Sequence, residues 1–124
     1  MPDITRNILV VEDDGLICLL LEDLLLDLGF HVVGPVHTSE AAETIVADQR
    51  LDFAILDITL RDGTSYGAAE TLRRREIPFA FLTGHDTSRL RDDMRCVPVL
   101  PKPFAPETLE QMLRANLPSW DRAA

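Results

Sequence analysis

Five short apolar runs recur along the chain: Ile8-Leu9-Val10-Val11, His31 to Val36, Phe53-Ala54-Ile55-Leu56, Phe79-Ala80-Phe81-Leu82 and Val97 to Leu100. They have strand length and predict strands. Three of the five are apolar on consecutive residues, the pattern of a parallel strand covered by helices on both faces. The second is flanked by His31 and His37, which suggests an edge. Between the runs the apolar spacing becomes helical over Gly15 to Leu28, Ser39 to Ala47, Ser65 to Arg75 and Pro106 to Leu117, with a poorly defined segment from Ser88 to Met94.

The punctuation agrees with this reading. Gly29 suits the C-cap of the first helix, Thr38 or Ser39 the N-cap of the second, and Pro106 followed by Glu107 the first turn of the last. In the last helix Leu109, Met112, Leu113 and Leu117 make one apolar stripe. At about 3.6 residues per turn, Ile17, Leu20, Leu21, Leu24 and Leu28 form the core face of the first helix, and Leu19 and Leu26 fall opposite, near Glu22.

Strand and helix alternate five times, which predicts an α/β fold: a doubly wound five-stranded parallel sheet with helices on both faces. The flavodoxin-like order 2-1-3-4-5 is the expected topology at this size. Strands 1 and 3 then lie side by side, and ligand chemistry belongs just beyond their carboxyl ends.

Length and composition narrow the picture. A chain of 124 residues predicts one domain over 1–124, with a core from about 6 to 117 and a short tail over 118–124. Its 21 acidic and 12 basic residues give a net charge of -9, which argues against nucleic acid and anionic membranes as partners. The basic run Arg73-Arg74-Arg75 reads as a solvated helix end or as an anion or partner site. Cys18 and Cys96 suggest neither a disulfide framework nor a zinc site, and a reducing cytoplasm fits. The N-terminus lacks a secretory pattern, and Glu22, Asp23 and Asp27 interrupt the leucine-rich stretch too often for it to span a bilayer. Trp120, in the tail, either packs back on the last helix or contacts a partner.

The candidate chemistry sits where the runs end. Glu12, Asp13 and Asp14 come after the first, Asp57 after the third, Thr83 after the fourth and Lys102 after the fifth. In the predicted sheet these residues become neighbours within about 10 Å, roughly two inter-strand spacings. Asp14 also suits the N-cap of the first helix. Crowded carboxylates repel one another, and a cation relieves that repulsion. The ligands on offer are oxygens, which favours a hard ion, Mg2+. Asp57 would be the nucleophile toward phosphorus, the metal would bridge Asp13, Asp57 and phosphoryl oxygens, Lys102 would take another oxygen, and the Thr83 hydroxyl a third.

The chain resembles the receiver domains of two-component response regulators over essentially its whole length. The motifs that carry the resemblance are Ile8-Leu9-Val10-Val11-Glu12-Asp13-Asp14, Ile55-Leu56-Asp57-Ile58-Thr59-Leu60, Leu82-Thr83-Gly84 and Lys102-Pro103-Phe104. The resemblance implies that Glu12 and Asp13 are the acidic pair, Asp57 the phospho-acceptor, the Thr59 backbone carbonyl a further Mg2+ ligand, and Lys102 the family lysine before a cis proline. It implies Thr83 as the switch hydroxyl, with Gly84, His85 and the position of Val99 as switch elements. Receivers usually carry an aromatic where this chain has Val99, so coupling through a rotamer there is a point of departure. Arg61 in place of a common proline, and the ending Phe79-Ala80-Phe81-Leu82-Thr83-Gly84-His85, are similar to a subgroup of stand-alone alphaproteobacterial receivers with HWE-type kinase partners.

The partners so implied are a histidine kinase or histidine phosphotransfer protein and an unknown downstream protein, for a cytoplasmic monomer or weak dimer. In a phosphorelay such a module serves as adaptor or phosphate sink, and it is not an enzyme beyond self-directed transfer and slow loss of its own phosphate. Leu19 and Leu26 read either as ordinary surface leucines or as a seam for a kinase helical bundle or a second receiver. Two rivals remain. A haloacid-dehalogenase-type phosphatase needs a second Asp as general acid where this chain has Thr59, and a pseudo-receiver would bind partners without taking phosphate.

Overall fold

The computed structural model describes residues 5–84, 90–117 and 120. In chain order the elements are β1 (Asn7–Val11), α1 (Gly15–Asp27), β2 (His31–Val36), α2 (Ser39–Asp48), β3 (Phe53–Asp57), β4 (Thr59–Leu60), β5 (Gly63–Thr64), α3 (Tyr66–Arg74), β6 (Phe79–Thr83), β7 (Val99–Pro101) and α4 (Pro106–Asn116). The main sheet is parallel in the order β2-β1-β3-β6-β7, which is 2-1-3-4-5 counted over its own strands. β2 is an edge, and every one of its residues keeps some exposure.

Every residue of β3 and β6 is buried, because alternate side chains enter cores on opposite faces. Leu9, Val11, Ala54, Leu56 and Phe81 pack with Ala42, Val46, Ala69 and Leu72 of α2 and α3. Ile8, Val10, Phe53, Ile55 and Leu82 pack with Leu21, Leu25, Leu109 and Leu113 of α1 and α4.

The helix ends are set by local chemistry. The Asp14 side chain accepts from the Leu16 and Ile17 N–H groups, and the Thr38 hydroxyl from Ala41 N–H. Gly29, at φ +93°, closes α1: its N–H reaches Leu26 O, and Phe30 N–H reaches Leu25 O. Arg75 donates to the Val46 and Gln49 carbonyls, so part of the basic run caps α2 from α3. Trp120 packs back, its ring 4.9 Å from Phe30 with the Arg114 guanidinium 5.6 Å above it.

Several details differ from the sequence reading. The fifth sheet strand begins at Val99 instead of Val97, because Val97 N–H is taken by Met94 O in a turn. Of the Ser88–Met94 segment, Asp92–Met94 form a 3-10 turn, whereas Ser88 and Arg89 lie outside the described residues, as do His85, Asp86 and most of the tail. In α1, Leu21 is buried and Ile17, Leu24 and Leu28 pack half-buried on the core as expected, but Cys18 and Leu25 are buried with them and Leu20 stays 44% exposed. Leu19 and Leu26 are exposed, as is Leu16. Two features were not anticipated: the antiparallel β4–β5 hairpin, and a break in the β1–β2 register between Val33 and Val36, the stretch that holds the cis Gly34–Pro35 bond. Gly34 has φ +92°, and a β-carbon there would lie 2.7 Å from Val36 N.

Candidate functional site

The carboxyl edge of the sheet gathers the polar residues that end the apolar runs. Asp57 closes β3 opposite Leu82, and Thr83 closes β6 opposite Pro101. The Lys102 N–H continues that ladder to Thr83 O at 2.7 Å, and the Lys102–Pro103 bond is cis. The Lys102 ammonium then reaches back across the sheet, 3.0 Å from Glu12 Oε1 and 3.5 Å from Asp57 Oδ2. One carboxylate oxygen from each of Glu12, Asp13 and Asp57 lies within 4.8 Å of the others.

These charges are out of water. Glu12 is fully buried and Asp57 is 8% exposed. Burial works to raise Glu12, but hydrogen bonds from the Asp14 N–H, the Asp57 carboxyl and Lys102 outweigh it and hold Glu12 below its ordinary value. Burial, then the hydrogen bond and charge of Glu12, pushes Asp57 up to about 7, against the pull of Lys102. Burial works to lower Lys102, and the two carboxylates overcome it and raise the ammonium. Of the two acids it is thus Asp57 that is pushed toward its protonated form, and three carboxylates face a single lysine. An all-oxygen donor set with excess negative charge fits a hard divalent cation.

The other predicted residues surround this cluster. Thr59 opens the β4–β5 hairpin two positions beyond Asp57 and is exposed. The hairpin is staked to α2, because the Asp62 carboxylate accepts from Ser39 N, Ser39 Oγ and Glu40 N at 2.7–3.2 Å. Thr83 is 9% exposed. Gly84 joins Ile17, Leu20, Lys102, Pro103 and Phe104 around an apolar hollow of about 410 Å³. Val99 is half-buried opposite Phe81. An aromatic nonetheless packs on the same neighbour, Phe81: Tyr66 of α3 meets it edge-on at 5.7 Å, and the Tyr66 hydroxyl accepts from Arg91 N at 3.1 Å.

Sequence reasoning missed two side chains that act on the main chain of the acidic loop. His37 Nδ1 lies 2.9 Å from the Glu12 carbonyl oxygen, and Cys18 Sγ lies 3.2 Å from it. Burial and then the charge of Glu12 push the Cys18 thiol up to about 11, so it is an S–H donor at neutral pH. His37 comes directly after the edge strand and Cys18 sits four residues after Asp14, spacings that carry no motif.

A parallel doubly wound sheet with acids, a threonine and a lysine converging at the carboxyl ends of its strands defines the chain as a two-component signalling domain. It belongs to the response regulator receiver domain family, whose model matches residues 8–114. SdrG from Sphingomonas melonis Fr1 is 42% identical, with a TM-score of 0.81 over 90% of this chain and 95% of that one. A second SdrG structure, in a BeF3-activated conformation, is 43% identical over 88% of this chain and 93% of that one, with a TM-score of 0.75. The receiver domain of the sensor histidine kinase PA1611 from Pseudomonas aeruginosa PAO1, solved with magnesium coordinated in its active-site cleft, is 26% identical at a TM-score of 0.79, covering 90% of this chain and 97% of that one. Among curated relatives, the probable transcriptional regulator ycf29 of Porphyra purpurea is 30% identical over 115 residues, 87% of this chain and 54% of that protein. The chain spans about half the length of the curated relatives it matches. Among the described residues, no helix is long and apolar enough to cross a membrane.

Proposed function

We propose that this chain accepts a phosphoryl group on Asp57 from a histidine kinase or histidine phosphotransfer protein, with Mg2+ bound, and relays the signal to a downstream protein or holds phosphate as a sink. The observation that carries this reading is the Lys102 ammonium set between Glu12 and Asp57, 3.0 and 3.5 Å away, at the edge of the three-carboxylate cluster. Glu12, Asp13, Asp57 and the Thr59 carbonyl would hold the cation. When bound, Mg2+ supplies the charge neutralisation that phosphoryl transfer requires.

The protein's own residues do the rest. An Asp57 carboxylate oxygen attacks phosphorus as the bond to the donor's imidazole nitrogen breaks; a donor ring protonated on its other nitrogen then leaves as neutral histidine, and Asp57 carries an acyl phosphate. Lys102 exchanges its contact with Asp57 for one with a phosphoryl oxygen, as a compact point charge. Thr83 donates its hydroxyl to another oxygen, and its movement re-sets the chain at Gly84. With Thr59 where a phosphatase carries its general acid, turnover on small phosphoesters is not expected.

Incubation with Mg2+ and acetyl phosphate, then intact mass measurement, tests the reading. One phosphoryl adduct on the wild type, none on Asp57→Asn and none in EDTA are expected. No adduct on the wild type would identify a phosphorylation-independent interaction module and overturn the proposal.

A further inference from the structure

Glu12 is fully buried, and every polar atom it has is engaged. Its N–H donates to Val36 O at 3.0 Å, Oε2 accepts from Asp14 N at 3.0 Å, and Oε1 faces the Lys102 ammonium. Its carbonyl oxygen stands where β1 has ended and β2 has run out at Val36, so no strand offers it an N–H. A buried carbonyl in that position needs donors from elsewhere. His37, the first residue after β2, and Cys18, in the first turn of α1, supply them. The carbonyl carries no hydrogen, so Nδ1 of His37 holds the proton and donates.

We infer that His37 and Cys18 are positioning residues of the cation site, fixing by their hydrogen bonds to the Glu12 carbonyl the peptide plane that presents Asp13. The peptide is rigid and planar, so the Glu12 carbonyl and the Asp13 N–H turn as one unit. Donors from the end of the edge strand and from α1, with the Val36 carbonyl on the Glu12 N–H, hold this corner from two elements at three points. If the carbonyl were free to rotate, the Asp13 Cα and carboxylate would swing away from Glu12 and Asp57, and the oxygens would no longer converge. Partners that orient ligands typically contribute about 10- to 100-fold to metal affinity. The inference rests on the function proposed above, and it concerns residues outside the ligand set.

The test is a Mg2+ titration without phosphodonor, read by NMR from the Asp13 and Asp57 amides, on the wild type, His37→Phe and His37→Asn. Phenylalanine keeps the ring and loses the donor, whereas the asparagine amide nitrogen takes the place of Nδ1. We expect His37→Phe to weaken Mg2+ about tenfold or more and His37→Asn to restore most of the loss. The Mg2+ concentration for half-maximal acetyl phosphate labelling should shift in parallel, with the rate at saturating Mg2+ unchanged. Cys18→Ala against Cys18→Ser provides the second arm with the same ordering. If the wild type binds Mg2+ but the Phe and Asn variants match each other, whether both tight or both weak, the inference is overturned and the proposed function stands. A wild type that binds no Mg2+ overturns both.

Discussion

Replacing Asp57 by Asn probes the electrostatic strain at the carboxyl edge directly. In the metal-free protein Asp57 is raised from 3.8 to about 7. Between those values the folded state holds a proton that the unfolded chain has released, so stability is greatest below the lower value and falls as pH rises through the window. Lys102 is raised from an ordinary value of 10.5, so its stabilisation is constant here, and that of the lowered Glu12 is lost only as pH falls below its ordinary 4.5. The shift of roughly three units sets a ceiling of about 4 kcal/mol. Asparagine has no charge to desolvate and keeps a hydrogen-bonding amide beside Glu12 and Lys102. Asp57→Asn should therefore be more stable than the wild type by about 2–4 kcal/mol at pH 8, roughly 10 °C in Tm, and by only about 1–2 kcal/mol at pH 5. Urea unfolding in EDTA at the two pH values measures this. The difference between the two proteins cancels contributions common to both. A wild-type deficit of the same size at pH 5 and pH 8 would refute the reasoning.

Other perturbations separate the roles of neighbouring residues. Lys102→Ala leaves the buried Glu12 carboxylate without its cation; we expect a loss of about 3 kcal/mol in urea unfolding and no labelling by acetyl phosphate. Gly34→Ala forces a side chain into a left-handed conformation against Val36 N, and a loss of about 2–4 kcal/mol should appear in thermal melts with labelling retained. If the exposed leucines of α1 seat a phosphodonor, Leu19→Ala with Leu26→Ala should slow transfer from the kinase while leaving acetyl phosphate labelling intact; equal loss of both excludes that role.

The sheet was legible because its inner strands are apolar on consecutive residues, a pattern that only burial on both faces explains. The site was legible because each of Glu12, Asp57, Thr83 and Lys102 ends such a run, and a parallel topology brings equal ends together. The buried face of α1 was legible only in part: Ile17, Leu21, Leu24 and Leu28 pack on the core, but Leu20 does not, and Cys18 and Leu25 were not foreseen. Leucines occupy so many of its positions that spacing alone favours no side, and packing against the sheet selected Cys18 and Leu25 over Leu20. The β4–β5 hairpin escaped because two-residue strands have no periodicity, although Asp62-Gly63 is a turn signal in plain view. His37 and Cys18 were invisible for a different reason: they serve a main-chain carbonyl, which every residue possesses and no motif marks.

The tryptophan packed at a tilt against Phe30 has a practical consequence. It is the sole indole of the chain, and Phe30 lies at the amino end of the edge strand, the pole of the molecule remote from the acids. Its emission is therefore blind to direct quenching at Asp57. A spectral change on adding acetyl phosphate would have to be transmitted through the layer formed by α1 and α4, which makes this ring a built-in gauge of how far a local event spreads.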